Sequence, residues 1–166
     1  MEYNPYALTG KTILVTGASS GIGRAVAIEC SRLGAHVILS ARNKEKLEET
    51  LKMMEGHGHQ VIECDLSKEK EVSLLIDEVP EIQGLVNNAG TTMTVPVPFI
   101  KFNVLSDLLK VNTIAPIMIL SGLVKKKKLR ANSSVVFTSS VSGLGRVSPG
   151  NTMYAATKGA VSTFVM

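Results

Sequence analysis

Residues 16–23 read Thr16-Gly17-Ala18-Ser19-Ser20-Gly21-Ile22-Gly23, a glycine-rich stretch between two patterned segments. Before it, Thr12 to Thr16 is a short, mostly apolar, β-branched run that reads as a strand. After it, Ile22 to Leu33 places Ile22, Val26, Cys30 and Leu33 on one helical face. Strand, glycine-rich turn and helix in that order make a βα unit whose turn suits a phosphate. Glycine permits positive φ, lets the backbone approach a diphosphate and lets the helix pack against the strand, while helix N-terminal amides face the anion. A plain tight turn uses the same residue types, so the rest of the chain has to decide.

Working outward, His36 to Ser40, Gln60 to Cys64, Gly84 to Asn87 and Val135 to Ser139 are further short apolar strands. Lys44 to Glu55, Lys68 to Val79, about Val104 to Leu129, and Tyr154 to Met166 read as helices. Helices of this length between short buried strands require right-handed crossovers and a parallel sheet covered on both sides. The expected fold is therefore α/β, a doubly wound parallel sheet of the Rossmann type. The chain of 166 residues and 17.7 kDa fits one domain over its whole length. Its longest irregular stretches are Thr91 to Phe99 and Val141 to Asn151.

Composition narrows the function classes. A hydrophobic share of 45%, a charged share of 19% and 14 glycines describe a packed globular chain, not a disordered, collagen-like or disulfide-framework one. Cys30 and Cys64 lack CxxC spacing and read as reduced, buried thiols in a cytoplasmic protein. No apolar run approaches the roughly 18 residues that span a bilayer, and the start has no basic patch leading into an apolar stretch, so membrane and secretory roles are not expected. The net charge of +4 is local: Lys125, Lys126, Lys127, Lys128 and Arg130 supply five of the 18 basic residues, leaving 13 against 14 acidic ones. With aromatics at 4% and no basic stripe, nucleic acid is not an expected partner, and the lysines read as a solvated helix end. His57 and His59 have no third ligand nearby in sequence, so no metal site is expected.

The glycine spacing is TGxxxGxG, and five further motifs follow it in order. They are Asp65-Leu66, Asn87-Asn88-Ala89-Gly90, Asn112, Ser139-Ser140 and Tyr154-x-x-x-Lys158. Together they resemble the short-chain dehydrogenase/reductases, in the compact single-domain form similar to 3-oxoacyl thioester reductases. The resemblance implies an oxidoreductase that moves a hydride between a nicotinamide dinucleotide and a small carbonyl or alcohol substrate. It also implies a homodimer or homotetramer formed through the last two helices.

Under that resemblance Gly17, Ser19, Ser20, Gly21, Ile22 and Gly23 face the cofactor, Asp65 and Leu66 meet the adenine, and Asn88, Ala89 and Gly90 line the same site, with Asn87 buttressing the sheet. The second strand carries Ala41 where an acidic residue would receive the ribose 2′-OH, and Arg42 follows, a planar cation suited to a 2′-phosphate. NADP(H) is therefore expected over NAD(H). Tyr154 and Lys158 lie one turn apart on one helix face, and an ammonium beside a phenol of pKa about 10 lowers it by roughly 1 to 3 units. Tyr154 is then the expected proton donor or acceptor, and the resemblance has Lys158 hold the nicotinamide ribose. Ser140, with Ser139 as the competing assignment, is expected to bond the substrate oxygen. Pro116 has no N–H for the Asn112 carbonyl four residues earlier, so the helix should bend there; in the resembled family that asparagine backbone holds a water leading to the lysine.

One departure stands out. Compact members of this family run to roughly 250 residues by resemblance, so the chain is expected to be a fragment truncated after the fifth βα unit, with an exposed fifth-strand edge and poor turnover alone. Two other classes stay open: a nucleotide-binding regulator that does not turn over, and a nucleic-acid or membrane-surface module working through Lys125 to Lys128.

Overall fold

The computed structural model describes residues 4–166. Five strands, β1 (Thr12–Thr16), β2 (His36–Ala41), β3 (Gln60–Glu63), β4 (Ile82–Asn87) and β5 (Leu129–Phe137), form one parallel sheet in the order β3-β2-β1-β4-β5. Between and after them lie α1 (Gly21–Arg32), α2 (Lys44–Lys52), α3 (Glu69–Glu78), α4 (Phe102–Leu109), α5 (Ala115–Lys125) and α6 (Thr152–Phe164). The chain winds outward through β2 and β3, then returns to place β4 on the other side of β1. That reversal opens a crevice at the carboxyl ends of β1 and β4, where open α/β sheets receive ligands.

Period-2 alternation divides the strand residues between two cores. Leu14 and Ile38 face Leu75, Ile119 and Leu123 of α3 and α5, whereas Ile13, Val15, Val37 and Leu39 face Ala27 and Leu47 of α1 and α2. Each fully buried Leu, Ile or Val contributes about 1.5–3 kcal/mol. Both sheet faces are thus covered, as an all-parallel sheet requires.

Two elements differ most from their expected form. The helix expected over Val104 to Leu129 starts at Phe102, ends at Lys125 and contains a π-helical turn at Lys110–Ile114. Pro116 supplies the physical reason, since its missing N–H leaves the α ladder incomplete and the wider turn absorbs the mismatch. Counted as one helix, Phe102–Lys125 has 24 residues and an apolar stretch of mean hydropathy 1.5 within it, which by length and composition suffices to cross a membrane. This corrects the expectation that no run approaches that length. Its Leu108, Ala115, Ile119 and Leu123 are committed to the protein interior. Strand β5 begins at Leu129, six residues earlier than expected; its polar start conceals the strand, and Asn132 at φ 63 accompanies a register shift against Ile82 and Gly84. The outer edge of β5 has no partner strand among the described residues, and Val135 and Val136 are exposed there.

The lysine run is more than a solvated helix end. Lys128 Nζ donates to the carbonyls of Ile76, Asp77 and Val79 at 2.9, 2.6 and 2.5 Å, closing the C-terminus of α3. Lys126 pairs with Asp77, and Arg130 with Glu81 at 2.6 Å. His57 and His59 lie in a turn where His59 Nδ1 accepts from the Val37 N–H at 3.1 Å and its Nε2 donates to the Glu55 carbonyl at 2.8 Å.

Candidate active site and cofactor cavity

The glycine turn leaves β1 with both its amide and its shape fixed. Gly17 N–H donates to the Ser40 carbonyl at 2.7 Å, and Gly17 sits at φ +69, where a side chain is strained. A Cβ there would lie 2.8 Å from Ala89 Cα, so β1 and the segment after β4 touch through bare backbone. Gly23 sits as tightly, because its Cβ would lie 2.3 Å from the Gly17 carbonyl oxygen. Thr16, buried at the end of β1, ties the two segments together: its hydroxyl accepts from the Asn88 and Ala89 N–H groups, each at 3.1 Å, and donates to the Val86 carbonyl at 3.3 Å. Asn88 then spans the crevice, donating to the Thr16 carbonyl at 3.3 Å and accepting from the Thr138 hydroxyl at 3.3 Å. Asn87 reaches the Pro116 carbonyl at 3.5 Å, so it ties β4 to α5.

A cavity of about 250 Å³ opens above these strand ends, lined among others by Gly17, Ser19, Ser20, Arg42, Asp65 and Asn88. Leu66, Ala89 and Gly90 complete the wall that the motifs led us to expect. Ser40, Cys64 and Val111 line it too and were not expected. Cys64 follows β3 and Val111 lies in the π turn, so only the fold brings them here. Burial, reinforced by the nearby Glu71 and Asp65 charges, pushes the Cys64 thiol up to about 12, which keeps it protonated and unreactive.

Three features fit this cavity to a phosphorylated dinucleotide. Ser20 is the N-cap of α1, yet its side chain makes no capping bond, and the Ser19 and Ser20 N–H groups have no acceptor among the described residues. The Gly17 cradle is one that a Cβ would fill. Arg42 is exposed and belongs to no ion pair among the described residues. Desolvation pushes the Asp65 carboxyl up, but hydrogen bonds from the Ser67 N–H and hydroxyl, with the charges of Arg42 and Lys68, outweigh it and hold the group below the usual carboxylate range. Asp65 does not cap α3, whose N-cap is Lys68; it closes a local turn on Ser67 instead, at 3.0 and 2.8 Å.

The second group of residues meets at the far wall. Asn112, 1% exposed, accepts from the Thr91 N–H at 2.8 Å and donates to the Thr91 carbonyl at 2.8 Å and to the Thr157 hydroxyl at 3.1 Å. Its side chain therefore fastens the loop after Gly90 to α6. Lys158, 4% exposed, donates to the Thr138 carbonyl at 2.7 Å, and desolvation pulls its amine below the ordinary lysine value. A Cβ on Gly90 would lie 3.5 Å from both Asn112 Oδ1 and Lys158 Nζ, so these groups stand directly behind a cavity wall. Tyr154 is half-buried one turn before Lys158. Gly21, Ile22 and Gly23 of the turn, and Asn112, Ser140, Tyr154 and Lys158, are not part of the cavity lining.

The two serines after β5 have different settings. Ser139 Oγ lies 2.5 Å from Ser162 Oγ and is engaged by α6. Ser140 Oγ only accepts from the Ser142 N–H at 3.2 Å, at the start of a short 3₁₀ turn over Val141–Leu144. Gly143 docks that turn on α6, where its Cβ would lie 2.7 Å from Gly159 N.

This geometry agrees with the family comparison. The short chain dehydrogenase family model matches residues 11–166, and the chain belongs to that family. It is 34% identical over 151 residues to the 3-oxoacyl-[acyl-carrier-protein] reductase FabG of Rickettsia felis, covering 91% of this chain and 62% of that protein. It is 35% identical over 169 residues to the 3-ketodihydrosphingosine reductase of Mus musculus, covering 95% and 50%. A solved Escherichia coli CFT073 short chain dehydrogenase complexed with NADPH superposes with TM-score 0.86 at 32% identity, covering 98% of this chain and 71% of that one. The Pseudomonas aeruginosa RhlG/NADP active-site complex gives TM-score 0.87 at 27% identity, covering 98% and 67%. The chain thus spans between half and about 62% of the length of these two curated relatives.

Proposed function

We propose that this chain is the nucleotide-binding and catalytic part of an NADP(H)-dependent oxidoreductase acting on a small carbonyl or alcohol. The observation that carries the reading is Gly90, which shares one wall between the glycine-turn cavity and the Asn112 and Lys158 side chains. In it, the Ser19 and Ser20 amides receive the diphosphate, Arg42 the 2′-phosphate, and Asp65 and Leu66 flank the adenine. The nicotinamide, when bound, supplies or accepts the hydride.

Lys158 is held in place by the Thr138 carbonyl and presents its ammonium toward the ribose side of Gly90. Tyr154 gives a proton to the carbonyl oxygen or takes one from the alcohol, and Ser140, with its hydroxyl hydrogen uncommitted, holds that oxygen. Asn112 keeps the Thr91 loop and α6 in register so that these groups converge. The reductase names of the two curated relatives and the NADP and NADPH of the solved neighbours support this choice of cofactor and chemistry. Titration with NADPH and NADH, read by nicotinamide fluorescence, tests it: tighter binding of NADPH is expected, and preference for NADH or no binding of either refutes it.

A further inference from the structure

Two side chains that no motif singles out, Thr50 of α2 and Arg24 of α1, fasten the glycine turn to α2. The Thr50 hydroxyl, fully buried, donates to the Ala18 carbonyl at 3.0 Å, and the Arg24 guanidinium donates to the Ser19 carbonyl at 2.6 Å. Arg24 is itself fixed, through Nε on Thr50 Oγ1 at 3.0 Å and through the Glu49 carboxylate at 3.2 Å. The Thr50 oxygen also lies 3.0 Å from the Lys46 carbonyl. A hydroxyl has one hydrogen to give, and the Lys46 carbonyl already faces the Thr50 N–H in the helix ladder, whereas the Ala18 carbonyl has no other donor among the described residues.

In a trans peptide the carbonyl and the N–H of the same unit point in opposite directions. The Ala18 carbonyl shares its unit with the Ser19 N–H, and the Ser19 carbonyl shares its unit with the Ser20 N–H. Drawing both oxygens toward α2 therefore turns both hydrogens the other way. These are the two N–H groups that lack an acceptor, and both residues line the cavity.

We propose that Thr50 and Arg24 are positioning residues for cofactor binding: they hold the Ala18 and Ser19 carbonyls so that the Ser19 and Ser20 amides are aimed at the diphosphate before it arrives. The inference rests on the reading of the cavity as a dinucleotide site. It assigns α2 a role beyond following the Arg42 loop, since together with Arg24 of α1 the helix presets the diphosphate end of the site. Preorganised donors bind an anion without reorganisation, and loss of the preset costs affinity.

The test uses the full 166-residue chain and two probes, NADPH and adenosine 2′-monophosphate, which has the phosphate meant for Arg42 and no diphosphate. Thr50→Val should weaken NADPH on the order of three- to tenfold, leave the monophosphate unchanged, and be restored by Thr50→Ser. Arg24→Gln, at a more exposed position, should repeat the pattern and serves if the valine variant folds poorly. NADPH affinity equal to that of the unsubstituted chain, or equal weakening of both probes, overturns the proposal. If the unsubstituted chain does not bind NADPH at all, the reading of the cavity fails first and takes this inference with it.

Discussion

Gly23→Ala sets two physical effects against each other. Gly23 is the third residue of α1 and has no positive φ, so alanine is locally the better helix former by up to about 1 kcal/mol. Against that, the new methyl would stand 2.3 Å from the Gly17 carbonyl oxygen and 2.5 Å from Asn88 Nδ2. Ordinary contact needs about 1 Å more, and neither neighbour is free to give it. Gly17 is held by the Ser40 carbonyl and abuts Ala89, and Asn88 is tied to Thr16 and Thr138. Overpacking of this kind costs about 1–3 kcal/mol, and the rigid surroundings put it at about 3. The net is a loss of about 2 kcal/mol, or roughly 4–8 °C in melting temperature for a chain of this size. Thermal denaturation measures it, with NADPH titration alongside, since the helix must back away from the turn and affinity should fall. Gly21→Ala is the control: Gly21 sits at φ +55, yet no atom lies within 4 Å of its Cβ, so only strain of about 1 kcal/mol is expected. A Gly23→Ala variant that melts at or above the unsubstituted chain would refute the close approach of α1 to the turn.

Further outcomes are expected. Arg42→Ala should weaken NADPH ten- to a hundredfold, the worth of a charge-assisted bond, and leave NADH affinity unchanged in parallel titrations. Lys128→Met removes the amine that closes α3 on three carbonyls and should cost about 1–2 kcal/mol in urea denaturation. The Lys158 amine titrates below its unfolded value, so between its folded pKa and about 10.4 the unfolded chain binds more protons and stability rises with pH. Relative to Lys158→Met, the unsubstituted chain should gain stability as the pH rises toward about 10.4, and a loss over that rise would contradict the buried ammonium.

The sheet was legible because each strand carries its own signal. The apolar alternation of Thr12 to Thr16 and His36 to Ala41 needs no distant partner to be read, and the helices between them follow from period and length. Strand β5 hid its first half because Arg130, Asn132, Ser133 and Ser134 are polar, and the side chains of Arg130 and Ser133 bond Glu81 and the Ile82 carbonyl instead of entering the core. The break in the helix near Asn112 followed from Pro116, but that Thr157 of α6 holds Asn112 and Thr113 from the other side could not be read from it. Among the site residues, those carried by motifs were placed by sequence order. Thr16, Arg24 and Thr50 escaped notice because each acts through backbone groups of another segment, a relation that residue type does not encode. That Ser162 of α6 engages Ser139, while Ser140 only accepts from the Ser142 N–H, is a tertiary relation that the sequence does not carry.

The proposed function requires a dinucleotide to lie across the carboxyl ends of β1 and β4 with its nicotinamide end at Lys158. The most direct measurement is an amide chemical-shift titration of the ¹⁵N-labelled chain with NADPH. Saturable shifts of Ser19, Ser20, Gly21, Asn88, Gly90 and Lys158 together are the predicted result, and shifts confined to Lys125 to Lys128, or absent from both the glycine turn and Lys158, would contradict it.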